Sequence, residues 1–165
     1  MRTSFLSAIA LIAGASSVLG QRARPSSAVL TVAQLYRDFA WEAVVEEPEW
    51  RGHDLLDQPR TVLARYFDQQ VVDLLLADQA CESRTHQHCG LGTSPIWASQ
   101  DPAATELKVL PTEDSSVVVV KFRYPSNGES IELRYQLLHT GTGWRIHDIS
   151  QGSRWSLLAL LSGKH

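Results

Sequence analysis

The apolar positions of the chain change period about two thirds of the way along it. In "TVAQLYRDFAWEAVVEE", Val32, Leu35, Tyr36, Phe39 and Ala43 recur at helical spacing, with Val44 as an extension. Thr31 and Gln34 fit a capping box, in which each side chain satisfies a free backbone N–H of the first turn. Pro48 ends this helix. Trp50 and Gly52 fall in the loop that follows, Trp50 as a packed anchor or a lid. Pro59 suits the first turn of a second helix, with Asp57 or Gln58 as its cap. Val62, Leu63, Tyr66 and Phe67 form its apolar face. Asp68 restarts the helix, and Val71, Val72, Leu74, Leu75 and Leu76 carry it to about Cys81, apolar on several sides and hence buried.

Beyond residue 105 the pattern becomes that of strands. "LKVL" before Pro111 is a short one, and the β-branched run "SSVVVVKFRYP" is another. Pro125-Ser126-Asn127-Gly128 turns the chain, since Asn and Gly tolerate positive φ. "ESIELRYQLLH" alternates: Ile131, Leu133, Tyr135 and Leu137 face one side, Glu132, Arg134 and Gln136 the other. After Gly141-Thr142-Gly143 comes a last strand, "WRIHDIS", and "RWSLLALLSG" is a short C-terminal helix or packed tail. Helices first and tightly connected antiparallel strands afterwards predict an α+β domain, not an α/β one. Its simplest form packs the N-terminal helices on the concave face of a curved antiparallel sheet.

The N-terminus changes the picture of where this domain works. Arg2 precedes a mostly apolar run from Phe5 to Val18, followed by small residues at Val18-Leu19-Gly20. This is the layout of a secretory signal peptide. The run falls short of the ~20 residues that span a bilayer. Cleavage after Gly20 is expected, with Ala15-Ser16-Ser17 as the weaker alternative. No cysteine follows the run, which excludes a lipoprotein anchor at that point. The expected organisation is a signal peptide over 1–20, a flexible leader over 21–30 and one α+β domain over 31–165, in a periplasmic or secreted protein.

Removing 20 of 165 residues leaves 145, and losing Arg2 moves the formal charge from −3 to −4. A mildly acidic chain is a poor partner for nucleic acid or anionic membrane surfaces. No further apolar stretch is long enough to span a membrane, and no cofactor motif is present.

The two cysteines, Cys81 and Cys89, sit in "ACESRTHQHCG". Three chemistries fit these residue types. Zinc would use Cys81, His86, His88 and Cys89, but four ligands within nine residues leave little chain to wrap tetrahedrally. A redox pair normally has Cys-X-X-Cys spacing. Export into an oxidising compartment favours a disulfide, worth roughly 2–3 kcal/mol for so short a loop. His86 and His88 are then exposed loop residues, with no metal bound.

The residues after this loop carry a resemblance. Pro95-Ile96-Trp97 with Ser99-Gln100-Asp101, and Trp144-Arg145-Ile146 with Asp148-Ile149, resemble the exported bacterial proteins grouped as domain of unknown function 3828. "LYRDF" and "PRTVLARYFDQQVVDLL" fit the same pattern, so the resemblance spans about Thr31 to Leu161. It implies a nuclear transport factor 2-like cone, in which helices and a curved sheet enclose a pocket. It implies no catalytic activity.

Candidate site residues follow from the strands and the loop. Period two places Trp144, Ile146 and Asp148 on one face of the last strand, and Arg145, His147 and Ile149 on the other. Asp148 is then a pocket carboxylate or a partner of backbone or Arg154. Gln100 and Asp101, next to Trp97, pin the loop or line the pocket mouth. Arg145 and His147, with Arg123, Glu132 and Arg134, form a charged outer face of cross-strand pairs or a docking surface. No nucleophile elbow, phosphate-cradling glycine loop or His-Glu-X-X-His motif occurs. The expected function is a non-enzymatic binding or interaction module. Its partner is an apolar small molecule in the cone or another protein, one form being an immunity or inhibitor protein against a toxin delivered to the periplasm. The alternative is a small pocket enzyme of isomerase, dehydratase or hydrolase type, with Asp148 or Asp101 as base and Tyr135 as donor.

Overall fold

The computed structural model describes residues 27–44 and 53–163. The expected signal peptide, Pro48, Trp50 and Gly52 lie outside them. The described residues form an α+β fold. Helix α1 (Ser27–Phe39) buries Ala28, Val29, Val32, Leu35, Tyr36 and Phe39, which repeat every three or four residues along one face. It begins four residues before the expected start, so 27–30 belong to the helix and not to a leader. Thr31 is therefore inside α1 and makes no capping box. Its hydroxyl reaches Trp144 O at 3.5 Å, while Gln34 donates to Asp38 and accepts from Arg37. After Phe39 the chain tightens into a 3-10 turn, Ala40–Ala43, and Val44 is 68% exposed and no part of the apolar face.

A second 3-10 turn (Leu55–Asp57) leads to α2, which is only Arg60–Leu63. Pro59, not Asp57 or Gln58, precedes it, and no side chain caps it. The expected second helix stops because Phe67 and Asp68 are taken by the sheet. Ile146 N donates to Tyr66 O at 2.7 Å and Asp68 N to Ile146 O at 3.0 Å, a short parallel bridge. Asp68 then restarts the helix as expected, its carboxylate accepting from Val71 N at 2.9 Å. Helix α3 (Gln69–Thr85) buries Val71, Val72 and Leu75. Leu74 and Leu76 are half-buried, so its burial is one-sided.

Strands β1 (Thr105–Pro111), β2 (Val117–Arg123), β3 (Ser130–Thr140) and β4 (Gly143–Ser150) form one antiparallel sheet in chain order. The alternation read in β3 holds, with Ile131, Leu133, Tyr135 and Leu137 all buried. They share the interior face with Val118, Val120 and Phe122 of β2, and α1 lies across that face. Helix α4 (Leu157–Leu161) closes one end, burying Leu157. The free edge of β1 is blunted by an irregularity between Thr105 and Lys108, by Glu106 at φ 56° and by Pro111.

Period two fails in β4. Leu137 pairs with Ile146 but Gln136 pairs with Asp148, leaving His147 as an extra residue. Such a bulge reverses the alternation beyond it. Ile146 and Ile149 are therefore both interior and fully buried, whereas Asp148 is opposite Gln136 and outside the buried series. His147 turns to Asp68, with Nδ1 2.5 Å from Oδ2. Arg145 folds over the α2 end, donating to Ala64 O at 3.0 Å and Thr142 Oγ1 at 3.1 Å. The charged outer face thus reduces to the pairs Lys121–Glu132 (2.7 Å) and Arg123–Glu106 (3.4 Å), with Arg134 exposed beside them.

The space between α1 and the sheet is filled with aromatic rings. Trp97 packs edge-on against Tyr36 (5.1 Å) and Phe122 (5.5 Å), and Tyr36 meets Tyr135. The hydroxyls make a chain. Tyr36 donates to Ile96 O at 2.7 Å, so its 2.8 Å contact with Tyr135 has Tyr135 as donor. Burial and mutual repulsion push the Tyr36 hydroxyl well above its ordinary value. Tyr36→Phe is expected to cost about 2 kcal/mol, because it strands both Ile96 O and the Tyr135 hydroxyl. Tyr135→Phe removes only one bond and is expected to cost about half that. Urea denaturation of the two variants checks the order.

Candidate functional site

A cleft of about 390 Å³ opens beside the packed core, with Glu42, Asp54, Asp57, Glu82, His88 and Gln100 among its lining residues. Its floor is Glu42, which sits seven residues after Leu35 on the apolar stripe of α1, continued into the 3-10 turn. The helical spacing that buries Leu35 and Phe39 therefore buries this carboxyl too; Glu42 is only 7% exposed. Oε1 accepts from Leu55 N at 2.7 Å and Oε2 from the Ser94 hydroxyl at 3.3 Å. Burial pushes the carboxyl up to about 7, and the charge of Asp54 adds to this. The bonds from Leu55 and Ser94, and the nearby Trp97 side chain, pull the other way. The buried indole N–H of Trp97 stands by this carboxyl and acts on it as a weak donor, outside strict hydrogen-bond geometry to any acceptor among the described residues.

Ser94 is held by a compact turn. Ala98 N donates to Ser94 O at 2.8 Å, and Ser94 N to Ser99 O at 3.0 Å, with Ala98 at φ 52°. Tyr36 fixes Ile96 O, and the Tyr124 hydroxyl lies 2.8 and 2.9 Å from Trp97 O and Ala98 O. Two tyrosines from opposite layers thus clamp one turn.

The opposite wall is the loop after α3. The helix runs past the expected end at Cys81 to Thr85 and stops at His86, whose φ of 55° puts it in the left-handed region. Cys81 and Cys89 are bonded to each other, with Cα atoms 6.1 Å apart. The bridge folds the loop back on the helix. There Asp78 accepts from Gly90 N at 2.7 Å and Leu91 N at 3.3 Å, and Leu91 is buried. His86 and His88 are exposed, as expected, and His88 Nδ1 donates to Glu82 at 3.0 Å on the cleft rim. A Cβ on Gly90 would stand 2.8 Å from Asp78 Oδ1. Gly90→Ala is therefore expected to push the carboxylate off both amides and cost about 1 kcal/mol. Faster hydrogen exchange at residues 90 and 91 is the check.

The candidates read from the sequence do not assemble into one site. Gln100 lines the cleft, and Cys81 and Cys89 tie its wall. Trp97 is fully buried in the core and is no rim residue. Asp101 is exposed and outside the cleft lining; its backbone N–H donates to Ser99 Oγ at 3.2 Å. Tyr135 is closed off in the core. Trp144 is half-buried, edge-on to His139 at 5.3 Å. Asp148 accepts from Ile149 N, Leu158 N and the Ser156 hydroxyl at 2.8–3.0 Å, so it caps α4 and does not face a pocket. Neither Asp has the apolar enclosure that a catalytic base needs. Glu42, Ser94, Asp54 and Glu82 were missed. The available signal was a charged residue at an apolar helical position, Glu42. Among the described residues, no three His, Cys, Asp or Glu side chains converge to hold a metal ion, and no helix is long and apolar enough to cross a membrane.

No protein-family model matches the sequence, and no curated protein matches it. Among solved structures the chain is similar to a protein of unknown function from Bacteroides thetaiotaomicron VPI-5482. The identity is 13% and the TM-score 0.47, over 76% of this chain and 90% of that one.

Proposed function

We propose that the protein is an exported, non-enzymatic binding module whose partner engages the cleft beneath the disulfide loop. The observation that carries this is Glu42: a carboxyl buried at the edge of the packed core and lining an open cleft. Binding sites are concave and hold a few well-placed polar groups, and this cleft has both properties. The signal-like N-terminus and the disulfide support export into an oxidising compartment. The resemblance to domain of unknown function 3828 points the same way. The expected seat for an apolar ligand, between helices and sheet, is occupied by Trp97, Tyr36 and Tyr135, so the partner is a protein or a polar ligand reaching the cleft from outside. An immunity or inhibitor role against a toxin delivered to the periplasm is one concrete form.

Pull-down from periplasmic extract, followed by native mass spectrometry, tests the reading. The control is Gly92→Phe, which fills the cleft: a Cβ on Gly92 meets only Gln100 Nε2, at 3.9 Å. The proposal expects a partner on the wild-type protein that is lost with Gly92→Phe. Equal capture by both, or capture by neither, contradicts it. Glu42 also gives the enzymatic alternative a second motive, because a carboxyl titrating near neutrality in a cleft suits a general base. A ligand released chemically unchanged argues against that alternative.

A further inference from the structure

We propose that Asn127 and Gly128, in the turn between β2 and β3, are a site of spontaneous backbone modification, with water as co-reactant and independent of what the cleft binds. Asn127 is the single asparagine of the chain, glycine follows it, and both are exposed. In that order the two residues can react with each other. The Gly128 nitrogen attacks Cγ of Asn127, and the new N–Cγ bond closes a succinimide ring. The Cγ–Nδ2 bond breaks, and ammonia leaves with the proton that the Gly128 amide gives up. Water then opens the ring at one of its two carbonyls. Opening at Cγ leaves an aspartyl residue. Opening at the main-chain carbonyl leaves an isoaspartyl link that runs through Cβ and Cγ.

The turn sets these groups up for the reaction. Gly128 brings no Cβ to crowd the attacking nitrogen, and nothing lies within 4 Å of where one would stand. The Glu129 N–H donates to Asn127 Oδ1 at 2.9 Å. Negative charge gathers on that oxygen as Cγ becomes tetrahedral, so the donor stands where the transition state needs it. One bond opposes the reaction: the Gly128 N–H, whose proton must leave, donates to Tyr124 O at 2.8 Å. A single neutral bond at an exposed turn slows the step by about tenfold at most. The charged groups around the turn offset one another. Arg123 donates to Gly128 O at 3.2 Å and pairs with Glu106 at 3.4 Å, and Glu129 faces Arg154 at 3.9 Å.

The isoaspartyl product lengthens the main chain of the turn by one carbon. The turn is closed by Tyr124 N on Glu129 O at 3.0 Å and by Gly128 N on Tyr124 O, and both bonds lose their register. Tyr124 is also the residue whose hydroxyl holds Trp97 O and Ala98 O. The modification thus reaches the turn that presents Ser94 to the cleft. Gln151-Gly152 is the internal comparison. It has the same glycine neighbour, at φ 56°, but its extra methylene requires a larger ring, and the Trp155 indole holds Gln151 Oε1 at 3.0 Å.

The test is incubation of the folded, oxidised protein at pH 8 and 37 °C beside the same protein unfolded in guanidinium chloride. Intact mass follows the exchange of an amide for an acid. Peptide fragmentation places the change, and isoaspartyl methyltransferase labelling detects the isoaspartyl link. The expected result is conversion at residue 127 to both products, at a rate within about tenfold of the unfolded chain. Gln151 should stay unchanged, and Asn127→Gln should abolish the product. Tyr124→Phe keeps the main-chain bonds of the turn and should leave the rate within about twofold of the wild type. Conversion more than tenfold slower than in the unfolded chain would mean that the turn protects the pair, and would overturn the proposal. Equal conversion at Gln151, or a mass gain that persists in Asn127→Gln, would overturn it as well.

Discussion

Replacing Cys81 and Cys89 by serine is expected to lower global stability by roughly 2–3 kcal/mol and to disorder the cleft wall before anything else. The closed loop is short, separated by 8 positions in sequence, so the entropy removed from the unfolded chain is modest. The local effect is larger than that figure suggests. Between residues 83 and 89 every side chain is exposed, and Leu91 is the next buried anchor. Without the bridge, the loop is held by Asp78 on the Gly90 and Leu91 amides and by the His88–Glu82 contact. The last turn of α3 should fray as well, since Thr85 back-bonds to Cys81 O. Exchange rates at residues 86–91 should rise on reduction, while those in β2 and β3 stay unchanged. Intact mass with alkylation, before and after reduction, checks the bond itself. Two free thiols in protein purified from an oxidising compartment, or stoichiometric zinc released on unfolding, would contradict the pairing.

Stability should fall as pH rises from about 4.5 to about 7, and Glu42 is the cause. In the unfolded chain its carboxyl titrates at the ordinary 4.5, and in the folded protein at about 7. Below 4.5 both states hold the proton and the full stability is present. Between the two values the unfolded state has released it and the folded state has not, so each rise in pH favours unfolding. Above 7 the loss is complete. A gap of this size corresponds to up to about 3 kcal/mol. Urea denaturation at pH 5 and pH 8 measures the difference. Glu42→Gln keeps the shape, removes the ionisation and is expected to flatten the profile, so the variant should be the more stable protein at pH 8. A variant with the wild-type slope would place the titrating group elsewhere.

Where a side chain's role follows from its immediate neighbours in sequence, the chain could be read directly. β3 is the clearest case: alternation from Ile131 to Leu137 translates into alternating burial, because β2 pairs with it residue for residue and the bulge falls on the β4 side. The disulfide was legible for a different reason, since it was read from the signal-like N-terminus and from there being two cysteines. The failures lie where a distant segment competes for the backbone. The second helix stops at Leu63 because Tyr66 and Asp68 hydrogen-bond to Ile146, some 80 positions away. The same bridge accompanies the bulge at His147, which moves Asp148 off the interior face and into the cap of α4. No local pattern announces an inserted residue in a strand. Glu42 was legible in principle, as an acid on the stripe of Leu35 and Phe39. Recognising it as a cleft floor requires knowing that Ser94 and Leu55 meet it from other elements.

The binding reading requires that the Glu42 carboxyl lie desolvated in a formed cleft. The carboxyl carbon shift of Glu42, followed by carbon-13 NMR from pH 3 to pH 9 in the oxidised protein, tests it most directly. The expected midpoint is near 7, with the Trp97 indole N–H signal moving through the same transition as the neighbouring carboxyl gains its charge. A midpoint near 4.5, with an indole signal indifferent to pH, would mean an ordinary solvated surface acid and would contradict both the cleft and the function assigned to it.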